Sequence, residues 1–524
     1  MEKELARSLK RLKFEDFGPP YFLSYQILDS RDENFSARHG ARVQDSSNRS
    51  RYFYVELRYG GRGLDNTQED YRGLSDSAPL DESPDDARHR LWLLTDQAYK
   101  QAVNDTLAKR GKRLTEPDKE KTADFSREEP VRAVLPDAGL SQDIGPYKKI
   151  LAEASAGFKA HPWVVDSGVS FREDRDRLAM VNSEGTRLAM PKGGNPYFVY
   201  VWARSQTGDG MNLNVSRSFS ARSISGLPGA EALAATIREM AAQLEKLRAA
   251  PAADPYTGPA ILDPESTGVL FHEAVGHRLE GERQRDEDEG QTFKGQAGRK
   301  VIPEFLTVID DPTVPRWRDT DLNGSYAYDD EGVPAQKAVL IENGVLKNYL
   351  LSRRPIPGFP RSNGHGRAQF GRDPIGRMSN LFVKSSREVP FEKLKAMLLE
   401  ECRKKGKPYG LIIRRTRSGD TFTGRGRYQA FRGTPEEVVL VDAATGEEKW
   451  VRGVEIVGTP LITVNKIIAT GSGSEALNAF CAAESGTIPV SSVAPWSLVE
   501  EVELQRVRED KQRPPILPPP LHDH

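Results

Sequence analysis

Residues Phe271 to His277 read F-H-E-A-V-G-H, two imidazoles set around a carboxylate. The second ring follows the first by five residues rather than four, and that spacing constrains the backbone more than any other feature of the chain. On a regular helix five residues advance about 500°, leaving the rings about 140° apart, whereas four would leave about 40°. If both rings serve one ion, the helix must be distorted there or end. Gly276, beside His277, is the residue best able to supply the distortion. The chemistry of such a set is hydrolytic: neutral imidazoles hold a divalent ion, and the carboxylate takes a proton from water. The plain alternative is a surface helix with two unrelated histidines.

With 524 residues the chain is long enough for two or three cores. Charged residues make up 29% and the formal net charge is −1, which argues against direct nucleic-acid binding through bulk charge. No apolar run approaches the roughly 20 residues of a membrane helix. The opening MEKELARSLKRLKFEDFG lacks the apolar core of a signal peptide. A soluble, cytoplasmic protein without membrane contact is expected.

Alternating aromatic and aliphatic residues in PPYFLSYQILDS and RYFYVELRYGG predict strands. Residues 84 to 112 and 229 to 250 predict helices, the second rich in Ala, Leu, Glu and Lys. The polar stretch from 112 to 140 predicts a loop or mobile excursion outside the core. Residues 164 to 222 alternate again around a turn at Ser183 to Thr186. APAADPYTGPAILDP, dense in Pro, Ala and Gly, marks a boundary near residue 255. Beyond it strands dominate, among them PLITVNKIIATGSG, with hairpin signals at 342 to 344 and 444 to 446. The expected fold is α+β. An N-terminal α/β domain (1–255) carries a mixed sheet and helices. A C-terminal domain (256–510), mainly antiparallel strands, carries the metal-binding helix. A Pro-rich tail (511–524) is expected to be extended or disordered.

Two histidines are too few for a tight site, since catalytic zinc usually has three protein ligands. His365, in the Gly-rich RSNGHGR, is one candidate for the third. Cys481, in NAFCAAESGTIPV, is the other: thiolate is a strong ligand, although most free cysteines are simply buried. Glu280 and Glu282 read as ligands or, more simply, as solvated charges. Cys402, in the amphipathic FEKLKAMLLEECRKKGK, reads as a half-buried core residue.

The order of segments resembles the TldD/PmbA family of TldD-type zinc metallopeptidases, a family also named for modulation of DNA gyrase. Besides FHEAVGH, the resemblance rests on DDPTVPRWRDTDLNGSYAYDDEGVPAQKAVLIENGVLKNYL at 310 to 350 and GRMSNLFV at 376 to 383. It continues in GLIIRRTRSGDTFTGRGRYQAF at 410 to 431, in VEIVGTPLITVNKIIATGSG and in the Cys481 segment. It covers about 255 to 506 well and the first half weakly. The resemblance implies a Zn2+ site made by His272, His277 and Cys481, with Glu273 as the catalytic carboxylate. It also implies a chamber in a dimer, either a homodimer or a heterodimer with a PmbA-like paralogue. The PmbA-like branch lacks HExxxH, so this chain looks like the catalytic branch.

These signals together predict hydrolysis of unfolded or short peptides, held as an added strand along the C-terminal β assembly. Arg414 to Arg417 and Gly471 to Gly473 are candidates for lining the site. Two rival readings remain. One is a structural zinc clamp in a non-catalytic interaction protein or partner subunit. The other is thiol catalysis with Cys481 as nucleophile and a histidine as base.

Overall fold

A computed structural model describes residues 1–14, 16–67, 73–81, 83–115, 122–137, 143–285, 291–421, 431–507, 511, 515, 517 and 520. Among them the chain forms two large sheets.

The first is eight-stranded. Its main path runs Asn212–Ala221, Tyr197–Gln206, Asp166–Asn182, Phe22–Arg38, Ala41–Arg58 and Leu74–Ser77. Arg187–Lys192 adds antiparallel to Asp166–Asn182, and Arg132–Val134 adds parallel to Arg187–Lys192, which makes the sheet mixed. Period-2 alternation decides which side chains reach the core. Val199, Val201 and Ala203 are buried under the helices Gly145–Ser155 and Ala230–Ala249, while Tyr200 points away. Leu233, Ile237, Met240, Leu244 and Leu247 form the buried stripe of the second helix at three- and four-residue steps. The long helix Pro84–Thr115 packs Leu91, Tyr99 and Val103 near Tyr25 and Val55.

The second sheet is twelve-stranded and mostly antiparallel, crossed by the 21-residue strand Gly486–Arg506. That strand forms a hairpin with Ile467–Ala483 and pairs on its other contacts with Tyr256–Leu262, Val454–Gly458 and Asn380–Ser385. On Tyr409–Thr421, Leu411 and Ile413 enter the core beneath the FHEAVGH helix, while Ile412 enters another beneath Phe391–Lys404. Burial on both faces explains why this strand reads as an unbroken apolar run. Cys402 lies in the second of these cores and is fully rather than half buried.

The α+β class, with a mixed sheet first and a mainly antiparallel sheet second, is what the sequence predicts. Two local expectations differ, and a third lies largely outside the described residues. Residues 122–131 carry no helix or strand, as a loop would, but the stretch from 112 to 140 does not lie wholly outside the core: the helix continues to Thr115, and Phe125 is buried between the guanidinium groups of Arg58 and Arg353 at 3.8 and 4.0 Å. Residues 116–121 and 138–142 of that stretch lie outside the described residues. Pro460–Asn465 is a short helix rather than a strand, because Pro460 at a first helical position starts a turn, and the strand begins only at Ile467. Most of the Pro-rich tail, including His522 and His524, lies outside the described residues.

Candidate metal centre

Strand Tyr256–Leu262 delivers the chain to Asp263, whose carboxylate accepts the N–H of Ser266 at 2.8 Å and caps the helix that follows. The α-helical part is Pro264–Phe271. Then the backbone widens: His272–Gly276 form one π turn, closed by the N–H of His277 donating to the carbonyl of His272. An i→i+5 turn returns the fifth residue over the first. The two rings therefore stand face to edge, with centroids 4.9 Å apart and planes at 90°. Distortion is present, but its cause is not the conformational freedom of Gly276, which has ordinary right-handed angles of φ −56° and ψ −59°. Gly276 is needed for space, since a Cβ there would stand 1.9 Å from the sulfur of Met378.

The sulfur of Cys481, on the hairpin strand Ile467–Ala483, lies 3.1 Å from Nε2 of His272 and 3.3 Å from Nε2 of His277. Among the described residues this is the one group of three His, Cys, Asp or Glu side chains that converges closely enough to hold a metal ion, with ligand atoms within 4.8 Å of one another. The donors suit zinc: bonds of about 2.3 Å to sulfur and about 2.0–2.1 Å to nitrogen would separate tetrahedral donors by roughly 3.5 Å. Burial alone would raise the Cys481 thiol, yet the adjoining His272 and His277 rings hold it well below its usual range. A cation at the same point would favour thiolate in the same sense.

A buried network fixes this donor set. Glu280 Oε1 lies 2.9 Å from Nδ1 of His277, which leaves Nε2 free to face the sulfur. Arg283 donates to the other oxygen of Glu280 at 2.8 Å, and Nε of Arg377 approaches Glu280 at 3.3 Å. Burial would push the Glu280 carboxyl up, but His277, Arg283 and Arg377 together bring it down to about 2. Arg377 also donates to the sulfur of Cys481 at 3.1 Å, to its carbonyl at 3.0 Å and to Ser485 Oγ at 2.8 Å. Glu280 is thus neither a solvated charge nor a member of the donor triangle. Glu282 is not solvated either. It accepts the N–H of Gly376 at 2.7 Å and the hydroxyl of Ser352, tying two loops together.

His365 is buried elsewhere, with Nε2 3.2 Å from Asp310 and Nδ1 2.9 Å from Asn363, and takes no part in the cluster. Sequence reasoning missed Arg377. Its only signal is a basic residue just before Met378 and the apolar Leu381–Phe382–Val383.

His272, Glu273, His277 and Cys481 all line one cleft of about 1260 Å³ between the two sheets. Glu273 is buried, and a Cβ on Gly419 would stand 2.6 Å from its Cγ, so the strand from 409 keeps a glycine there. Arg415, Thr416 and Arg417 line the cleft as expected, whereas Arg414 does not and pairs with Glu437 instead. Gly471 does not: it packs against Trp496 and Leu394 in another core.

Residues 255–506 match the family model described as the PmbA/TldA metallopeptidase C-terminal domain. A curated metalloprotease of Methanothermobacter thermautotrophicus is 31% identical over 338 residues, which span 63% of this chain and 68% of that protein. The chain belongs to the TldD/PmbA metallopeptidase family. The Saccharolobus solfataricus protein named zinc metalloprotease TldD homolog is 27% identical over 252 residues, covering 47% of this chain and 51% of its own length. Other curated relatives are likewise matched over about half their length or less. The crystal structure of TldE from Thermococcus kodakarensis superposes with a TM-score of 0.65 at 16% identity, covering 96% of this chain and 99% of that one. This likeness concerns the fold alone. Both the π turn and the sulfur of Cys481 fall inside the segment that matches the TldD/PmbA model.

Proposed function

We propose that this chain is a zinc-dependent peptidase acting on unfolded or short peptides in the cytoplasm. The observation that carries the reading is the convergence of two imidazole nitrogens and one sulfur on a point in the cleft wall, with Glu273 on the same helix beside it. His272, His277 and Cys481 would hold the ion. Lewis acidity is the chemistry zinc supplies at such a centre, and zinc is also the ion in the name of the Saccharolobus relative. Glu273 accepts a proton from the attacking water and passes it to the leaving amine. Residues 475 to 483 pair with 486 to 494 on one edge only among the described residues, and 476 to 483 line the cleft. An extended peptide adds there as a strand, through main-chain hydrogen bonds with little side-chain selectivity. A gap between two sheets admits an extended chain and excludes a folded protein.

Three protein donors opening on a cleft fit a catalytic centre better than a structural one, which is closed by four. Thiol catalysis has one observation in its favour, the contact of Cys481 with both rings, but it leaves Glu273 without a role. Family membership supports a dimer, with a second copy or with a PmbA-like paralogue. Among the described residues no helix is long and apolar enough to cross a membrane.

The test is cleavage of a mixed peptide library, with metal content measured in parallel. Wild type should contain about one zinc per chain and lose cleavage on chelation. Glu273→Gln should keep the zinc and lose roughly 10²- to 10⁴-fold in rate. Cleavage that survives chelation would favour the thiol reading. An unimpaired Glu273→Gln would end the zinc-peptidase reading.

A further inference from the structure

The FHEAVGH helix carries a second carboxylate toward the cleft. Glu265 precedes His272 by seven residues, two turns of helix, so both lie on nearly the same face about 10 Å apart. Both line the same cavity. Neither a hydrogen bond nor an ion pair is made by the Glu265 carboxylate among the described residues, although it is half-buried.

Its charged neighbours are otherwise engaged. Asp263 caps the helix through Ser266 at 2.8 Å and accepts the N–H of Arg415 at 3.0 Å. Glu436 accepts Arg217 at 2.9 Å and the N–H of Ser216 at 2.9 Å, with Arg417 a further 3.6 Å ion pair. Arg217 is shared with Gln243 at 2.7 Å, and Arg414 is paired with Glu437. Two groups remain: Glu475, which is exposed, and the guanidinium of Arg415, which lines the cleft and forms no ion pair among the described residues. Burial, reinforced by Asp263 and Glu436, pushes the Glu265 carboxyl up to about 8. Arg217 offsets this only in part, since its guanidinium is held by Glu436 and Gln243, and no cation pairs directly with the Glu265 carboxylate among the described residues.

We propose that Glu265 is a specificity-determining residue that receives a cationic group of the bound peptide. The proposal rests on the peptidase reading above and deepens it by naming a substrate class. An extended chain rises about 3.3 Å per residue. A cation held at Glu265 therefore belongs to a residue two or three positions from the scissile bond. Its source is either a lysine or arginine side chain or the free α-amino group of a short peptide. Both present an ammonium-like group with several donors to a carboxylate, and both gain a charge-assisted hydrogen bond in a poorly hydrated place. A neutral side chain offers Glu265 nothing comparable.

Binding separates this proposal from catalysis. In the zinc-loaded Glu273→Gln protein, fluorescence anisotropy reads the affinity of otherwise uncharged decapeptides carrying one lysine at each position in turn. The controls are the same peptides with norleucine, and with free or acetylated amino termini. One lysine position, or the free terminus, should bind roughly tenfold more tightly than its uncharged counterpart. A side-chain source gives the first pattern and an α-amino source the second. Adding Glu265→Gln should bring the ratio to about one, and Glu265→Arg should invert it. Zinc content and circular dichroism equal to the parent show that the variants are folded. A ratio near one in the parent, as expected if Arg415 turns to neutralise Glu265, overturns the proposal. So does a preference that survives Glu265→Gln. If these peptides bind with the predicted preference but wild type cleaves none of them, the peptidase reading fails while the cation site stands.

Discussion

Arg377 donates to the sulfur of Cys481 at 3.1 Å and to the carbonyl of the same residue at 3.0 Å, with its side chain fully buried. One guanidinium thus touches a candidate metal donor directly and, through Glu280, restrains a second, His277. Partners of this kind orient ligands and commonly contribute a 10- to 100-fold effect on metal affinity. Arg377→Met keeps most of the volume and removes every donor. It is expected to weaken zinc binding by roughly 10- to 100-fold in competition with a chromophoric chelator, with Arg377→Lys intermediate. Wild-type affinity in Arg377→Met would show that Cys481 needs no such support.

Gly276 makes a different prediction from the one its place beside His277 suggests. Its helical angles suit alanine, but a Cβ would overlap the sulfur of Met378, itself buried in the core. Gly276→Ala should therefore cost about 1–3 kcal/mol by overpacking. A shorter neighbour, Met378→Val, should recover part of that loss in the double variant. Denaturant unfolding of the two single variants and the double variant measures the coupling. Strictly additive effects would show that the two residues do not compete for space.

How much of the centre can be read from the chain follows from how local each part is. The His272–Glu273–His277 set is contiguous, so its spacing alone requires a distorted helix. Cys481 lies 209 residues beyond His272. From the residues alone it remains level with His365, and only the resemblance to a known family pairs it with the histidines. Glu280 is three residues from His277, yet nothing in the sequence separates a buried glutamate held by Arg283 and Arg377 from a solvated one. That distinction exists only once the loops at 280–285 and 375–378 meet. For the same reason strands and helices with clear periods are legible, whereas residues 122–130, polar in composition, are not.

Phe125 tests that last point. It lies in the polar segment, is 1% exposed, and stacks between Arg58 and Arg353 while also meeting Phe22 at 5.0 Å. Arg353 is held in turn by Glu184 at 2.8 Å, so the ring joins the first sheet to the loop at 352–354. Phe125→Ala should destabilise the protein by about 3–5 kcal/mol in chemical denaturation, the range of a fully buried aromatic. A change under about 1 kcal/mol, the range of ordinary surface substitutions, would restore the excursion reading of this segment.

Asp174 gives a pH-dependent prediction away from the metal centre. It pairs with Arg172 at 2.8 Å, and both line a cavity between the first sheet and the segment around Tyr326 and Arg367. Burial, opposed by Arg172 but reinforced by Asp176 and Asp32, raises its carboxyl to about 6. In the unfolded chain an aspartate titrates near 3.9. Between these values the folded state binds more protons than the unfolded state, so the contribution of Asp174 to stability falls as pH rises from about 4 to about 6 and is constant above that. A carboxamide in its place cannot titrate. The melting temperature of Asp174→Asn relative to wild type should therefore rise across this window and then level off. Solvent reaches this ion pair, which keeps the effect small, so the sign and the window are the test rather than the size. A difference that does not change with pH, or that falls as pH rises, would mean that Arg172 outweighs burial and that Asp174 is an ordinary ionised partner.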